Sequence, residues 1–342
     1  MKKSKPNWRD FLVSDPTDWL LEEDNPSVRF FALTDILEKP YEGPEVMRAR
    51  KNIMQTGIVP RILAKQKEGG YWETAEDFYI RTKFKGTVWQ LIILAELGAD
   101  GNDKMIQRAC EFILEWSQDR LSGGFAYRGS KKGGGFHSGV IPCLTGNMIW
   151  SLLRFGYHDD LRVKQGIEWI ADHTRFDDGV DVRLRGWPYA KREACWGKHT
   201  CHLTVVKALK ALAEIPKEKR ESDVKRTIEQ GADYLLKHRL FKRSHNLERV
   251  AKPKWLKLGF PWMWDTDVLE MLVILTTLGY RDPRMQEALE LIRSKQDADG
   301  RWILENTYNG RFQVNIERKG KPSKWITLNA LKILKRAQNI SG

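Results

Sequence analysis

The 342-residue chain is long enough to bury a substantial core, in one large domain or two ordinary ones. Its 58 basic and 45 acidic residues leave a formal charge of +13, which fits either an anionic partner or a well-solvated, lysine-rich surface. Four cysteines are too few for a disulfide framework at this length, and no apolar run is long enough to span a bilayer.

The N-terminal stretch MKKSKPNWRDFLVSDPTDW has a basic start with no apolar run behind it, unlike a signal peptide. The expectation is a soluble, cytoplasmic protein with an N-terminal extension over 1–26 and a single domain over 27–342. Strand signals are scarce. Helical periodicity recurs along the rest of the chain. Six segments are apolar on all sides and read as inner helices: VRFFALTDIL (28–37), TVWQLIILAELG (87–98), LTGNMIWSLLRFG (144–156), HLTVVKALKALAEI (202–215), DVLEMLVILTTLG (267–279) and WITLNALKILKRA (325–337). Segments with one charged face lie between them, such as PEVMRARKNIMQ and DVKRTIEQGADYLLKHR, and read as outer helices. The repeat length is roughly 55 to 60 residues, the signature of a stacked or closed array. The expected fold is all-α, an (α/α)6 toroid of six outer–inner helix pairs. An open solenoid is the alternative, but it requires polar capping repeats, and the last helix is not polar.

Several outer helices end alike. QKEGGYW from Gln66 and QDADGRW from Gln296 share Q-x3-G-x-W, and QDRLSGGF from Gln118 is a longer variant with Phe. Glycine permits a positive-φ turn, the aromatic ring packs back on the wall, and the amide satisfies helix-end carbonyls. These segments resemble the QW repeats of the terpenoid cyclase and protein prenyltransferase superfamily, over about residues 45 to 338. That resemblance implies a central cavity lined by aromatic residues and an isoprenoid or prenyl diphosphate as substrate.

Candidate site residues gather at the starts of the inner helices, where N-termini favour anions and thiolates. Cys143, Cys201 with His202, and Asp265 with Asp267 fall at equivalent levels of three successive repeats. Cys143, Cys201 and His202 are candidate zinc (Zn) ligands, with His199 and Cys195 in reserve; the alternative is cysteines buried by packing alone. The stretch KHTCHL resembles a zinc-binding segment of protein prenyltransferases, with Ile141 in place of their aspartate. Cys143-Leu144-Thr145-Gly146 and Cys201-His202 are similar to the ligand pattern of lanthionine cyclases. Asp265-Thr266-Asp267 resembles the Asp-x-Asp-Asp of class II cyclases, with Val268 in the fourth position. That likeness would make Asp267 a proton donor; the bland reading is a helix cap.

Trp89, Trp150, Trp196, Trp264 and Trp325 are candidate pocket aromatics, whose faces stabilise cations. Arg81, Lys83, Lys85, Lys198, Arg318 and Lys324, with Lys191 nearby, are candidate anion-binding residues in the preceding loops, or merely solvated. GSKKGGGFHSG (129–139) fails the P-loop spacing and reads as a flexible loop or lid, with His137 near its end. No nucleotide cofactor or nucleic-acid partner is expected. A peripheral membrane contact or a second subunit stays open. The leading expectation is an enzyme of terpene cyclase or prenyltransferase type acting on a hydrophobic or diphosphate-bearing small molecule. The other is a non-catalytic toroid that binds or scaffolds.

Overall fold

The structure, a computed structural model, describes residues 7–181 and 184–338, without the side chain of Lys191. Residues 1–6 of the expected extension and 339–342 at the end of the expected domain lie outside the described residues. Helix is the dominant regular structure of the described residues: α1 Thr17–Leu20, α2 Pro26–Phe31 (continued by a π-helical turn, Ala32–Ile36), α3 Pro44–Gln55, α4 Ile58–Leu63, α5 Thr87–Glu96, α6 Lys104–Trp116, α7 Pro142–Arg154, α8 Leu161–His173, α9 Glu193–Trp196, α10 His202–Ala213, α11 Ser222–Lys237, α12 Val268–Thr277, α13 Gln286–Ser294 and α14 Lys324–Ala337. Two short antiparallel strands, β1 Lys242–Arg243 and β2 Asn246–Val250, form the one small sheet among the described residues.

Local chemistry sets these boundaries. Asn25, Asp103, Asp160, Asp267 and Ser323 cap α2, α6, α8, α12 and α14 by accepting first-turn backbone N–H groups. Gly98, Gly156 and Gly279 end α5, α7 and α12 at positive φ, which costs glycine no Cβ clash. The helices read as apolar on all sides are the buried ones: every residue from Thr87 to Ala95 is buried, as is every residue from His202 to Leu212. The one-faced helices α6, α11 and α13 bury only their apolar stripe.

The inner helices touch in sequence: α5 packs on α7, α7 on α10, α10 on α12, α12 on α14, and α14 on α2. Outer helices back them, α3 against α2, α6 against α5, α8 against α7, α11 against α10 and α13 against α12. The long connections, 64–86, 117–141, 174–181 with 184–201, 238–267 and 295–323, all precede inner helices and meet at one end, through Gln313 on Glu73 and Lys85, Trp187 on His137 and Gly259 beside Asn306; the short returns follow the opposite ends of the same helices.

The three Gln–Gly–aromatic segments repeat one geometry. Gln66, Gln118 and Gln296 donate to the carbonyls of Met105 (2.8 Å), Arg162 (2.6 Å) and Phe11 (3.0 Å). The backbone N–H groups of Trp72, Phe125 and Trp302 donate to the hydroxyls of Thr87, Thr145 and Thr327, each in the first turns of the following inner helix. Met105 and Arg162 open the next outer helix. For the last segment that place is taken by Phe11, so residues 8–20 stand where an outer helix would stand after α13. Gly300 confirms how closely they dock: a Cβ there would lie 1.9 Å from the Ser14 carbonyl oxygen. The described part of the expected extension is thus packed as an outer element against α14, with Trp8 and Leu20 buried.

Candidate functional site

One cavity of about 460 Å³ receives side chains from all six inner helices. Its walls come from Phe31 and Asp35, Glu96, Trp150 and Arg154, Lys210, Glu270 and Thr277, and Trp325, Lys332 and Arg336. Its mouth lies among the short returns, since Tyr41, Asp100 and Glu214 also line it. Trp325 and Glu270 belong to the first turns of α14 and α12, whereas Arg336 is near the end of α14, so the cavity runs roughly 16 Å along the helix axes. This is the opposite end from the one favoured by the sequence reading. At the long-loop end, Trp187, Tyr189, Trp196 and Trp255 pack against the core.

Deep in the cavity an ion network replaces the expected apolar wall. Lys207 Nζ reaches both Glu270 carboxylate oxygens at 2.7 Å and the Asp265 carbonyl at 2.9 Å. Lys210 Nζ lies 2.5 Å from Glu96 and 3.2 Å from Glu270, and 3.9 Å from the Trp150 ring centre. Burial opposes the charge on Glu270, yet Lys207 and then Lys210 hold its carboxyl below the ordinary value. Near the mouth, Lys332 pairs with Asp35 at 2.7 Å and Arg154 with Glu214 at 3.7 Å. Burial pushes the Lys332 ammonium down, and Arg336 and Arg154 push it the same way against Asp35. Arg336 has no ion-pair partner among the described residues; its Nη1 donates to Thr277 at 2.8 Å. With Arg50 and Asp100, 3.9 Å apart, four cations face three carboxylates at the mouth.

The predicted aspartates lie outside this cavity. Asp267 caps α12: it accepts the N–H groups of Gly259 (2.7 Å), Glu270 (2.9 Å) and the Trp262 indole (3.2 Å). Burial pushes its carboxyl up to about 7, while those N–H donors favour the charged form. Asp265 is paired with Lys254 and accepts the Thr266 N–H. Asp267→Ala is expected to cost about 2–3 kcal/mol, because it removes a cap and leaves two further donors without partners. Asp267→Asn should cost less than half of that in a urea titration. Equal losses would argue against the cap as the stabilising contact.

The predicted zinc trio does not converge. His202 is turned to the Leu240 carbonyl (3.0 Å), and its ring packs on Trp255, His238 and Tyr234. Burial drives its imidazole down to about 3. His199 lies on Asp178 at 2.9 Å. Cys143, Cys195 and Cys201 do share a neighbourhood: Cys143 is pushed up to about 12 by burial and by the other two thiols. Among the described residues, no three His, Cys, Asp or Glu side chains are placed to hold one metal ion. Cys110 is buried in α6.

The other candidates scatter. Trp150 and Trp325 line the cavity. Trp89 stacks on Tyr79, Trp196 donates to the His173 carbonyl, and Trp264 lies under Lys83 at 4.4 Å. Arg81 and Lys85 are exposed, and Lys198 faces Asp181 at 3.5 Å. Arg318 and Lys324 share a separate groove, where Lys324 is taken by Glu22 and Asp24. Segment 129–139 is folded back as a hairpin (Phe136 N–H to the Arg128 carbonyl, 3.0 Å), and His137 is tied to Asp119 at 2.7 Å. The residues that sequence reasoning missed are Glu96, Lys210, Lys332, Arg154 and Arg336. Their signal was a charge embedded in an otherwise apolar inner helix.

No protein-family profile and no curated protein matches the sequence. Among solved structures, type II terpene cyclase MstE from Scytonema without ligand is similar at 14% identity and a TM-score of 0.31, covering 85% of this chain and 99% of that one. A variant of MstE with the product merosterolic acid A gives 15% identity and a TM-score of 0.32, covering 85% and 98%. Another with the substrate geranylgeranyl dihydroxybenzoate gives 15% and 0.31 over the same shares. No helix among the described residues is long and apolar enough to cross a membrane.

Proposed function

We propose that the six helix pairs close into a toroid whose cavity binds an isoprenoid molecule with an anionic, diphosphate-like head, and that the chain is an enzyme acting on it. The observation that carries this reading is the make-up of the cavity that all six inner helices line among the described residues: four cations against three carboxylates at the mouth, and the rings of Trp150, Trp262 and Trp325 in its wall. Arg336, Lys332 and Arg154 would hold the head group, and their charge would stabilise its departure. Trp150, Trp262 and Trp325 would take the apolar chain and favour positive charge developing on it. A cavity of this volume suits a ligand of that size.

A second reading, a binding protein without turnover, is favoured by a specific observation. The deep carboxylates Glu96 and Glu270 are both pinned by lysines, and Asp267 is spent on a cap. Calorimetry with geranylgeranyl diphosphate and with pyrophosphate at two salt concentrations tests the binding. Arg336→Met and Lys332→Met should each weaken it about tenfold, a loss of about 1.4 kcal/mol. Affinity unchanged in both variants, or no heat at millimolar ligand, would overturn the reading. Binding without any hydrocarbon product by mass spectrometry would leave the second reading standing.

A further inference from the structure

We infer that Cys195 and Cys201 are a reversible oxidation site, a dithiol that closes to a disulfide when a low-molecular-weight disulfide is the oxidant. The argument is independent of the central cavity. α9 ends at Trp196, the chain turns through Gly197, and Trp196 then pairs with Thr200 in an antiparallel bridge. The next residues outward on that ladder are Cys195 and Cys201. The Cys201 N–H donates to the Cys195 carbonyl at 2.9 Å, while the Cys195 N–H stays within its own helical turn on the Arg192 carbonyl. One such bond holds the two Cα atoms within about 6.8 Å, inside the span of about 4.4–6.8 Å that a disulfide bridges. The Cys195 thiol also feels Cys201 as a neighbouring charge, which places the two thiols near each other.

The surroundings leave the thiols available to each other. Both are free and half-buried. Neither histidine of the stretch competes for them, since His199 is held by Asp178 and His202 by Leu240. The groups around them are the Cys143 thiol from α7, Arg192 before α9 and the Tyr79 hydroxyl from the first long loop. Burial, then Cys201, pushes the Cys195 thiol up to about 11, with Arg192 opposing. Cys195 thiolate is then scarce at neutral pH, which slows attack by Cys195, and as a high-pKa thiol Cys195 is also a poor leaving group, which preserves the bond once made.

The step balances. One cysteine thiolate attacks the small disulfide and releases one small thiol. The other cysteine, losing its proton, then attacks the mixed disulfide and releases the second. The protein loses two electrons and two protons, and the oxidant gains both. The product joins α9 to the N-cap of α10 and fixes the segment whose Thr200 carbonyl accepts the Tyr234 hydroxyl.

The test is to equilibrate the folded full chain in oxidised and reduced glutathione, block free thiols with iodoacetamide, and map peptides by mass spectrometry. A linked Cys195–Cys201 peptide is expected, with Cys110 and Cys143 alkylated and full reversal by dithiothreitol. Cys143→Ser should leave the link intact. Absence of the link at the most oxidising ratio, mixed disulfides alone, or a bond to Cys143 instead would each overturn the inference. The wild-type map decides even where a cysteine variant fails to fold.

Discussion

Glu270→Ala is expected to lower the unfolding free energy by about 3–5 kcal/mol, the cost of stranding a buried charge. Glu270 and Lys207 are almost wholly inaccessible, at 1% and 0% side-chain exposure. The substitution removes both oxygens that meet Lys207 and one that meets Lys210, so two buried ammonium groups lose a counter-ion in one step. Lys210 retains Glu96; Lys207 retains only the Asp265 carbonyl. For a chain of this length the loss corresponds to roughly 5 °C in Tm. The double variant Lys207→Met, Glu270→Leu should cost less than Glu270→Ala alone, because replacing both partners by apolar groups removes the desolvation penalty along with the attraction. Urea titration of the three proteins checks this. A single-variant loss below about 1 kcal/mol, or a double variant worse than the single, would show that the network contributes little.

The same residues explain what was legible. Helix existence and the inner–outer alternation followed from period and polarity, because burial on all sides leaves no other composition than that of α5 or α12. The Gln–Gly–aromatic segments were legible too, since each needs a positive-φ glycine and an amide that can span to the neighbouring helix. The role of residues 8–20 was not: without the Gln296–Phe11 hydrogen bond, nothing in WRDFLVSDPTDW marks it as the neighbour of a segment almost 300 positions away.

The site was less legible for a related reason. Reading along the helices finds which residues share a level but not which end of the array stays open. Asp267 and Cys201 do share the level of inner-helix starts, but the long connections cover that end, and the N-termini use the polar groups as caps or bury them. The informative charges were those breaking apolar runs, Glu96, Lys207, Lys210 and Glu270. Sequence alone pairs none of them, because the partners come from three different repeats.

Stability should fall as pH drops from 6.5 towards 3 through His202, by about 1.4 kcal/mol per pH unit. The imidazole sits at about 3 in the folded protein against 6.5 for an ordinary histidine, chiefly from burial, with His238 adding repulsion. Between those values the unfolded chain binds a proton that the folded one refuses, so stability rises with pH across that window and is level above it. His238 is also held low by burial and contributes with the same sign. Asp267 acts oppositely: raised to about 7, it binds a proton in the folded state that the unfolded chain lacks until about 3.8, so it adds stability as pH falls. The wild-type curve alone therefore mixes the two. The decisive quantity is the gap between wild type and His202→Gln, which keeps an N–H for the Leu240 carbonyl and does not titrate. That gap should be constant from pH 8 to 7 and then shrink in favour of the variant by about 3 kcal/mol at pH 4.5. A gap that stays constant down to pH 5 would mean that His202 is charged in the folded protein, and that the Trp255 and Tyr234 rings around it do not exclude water.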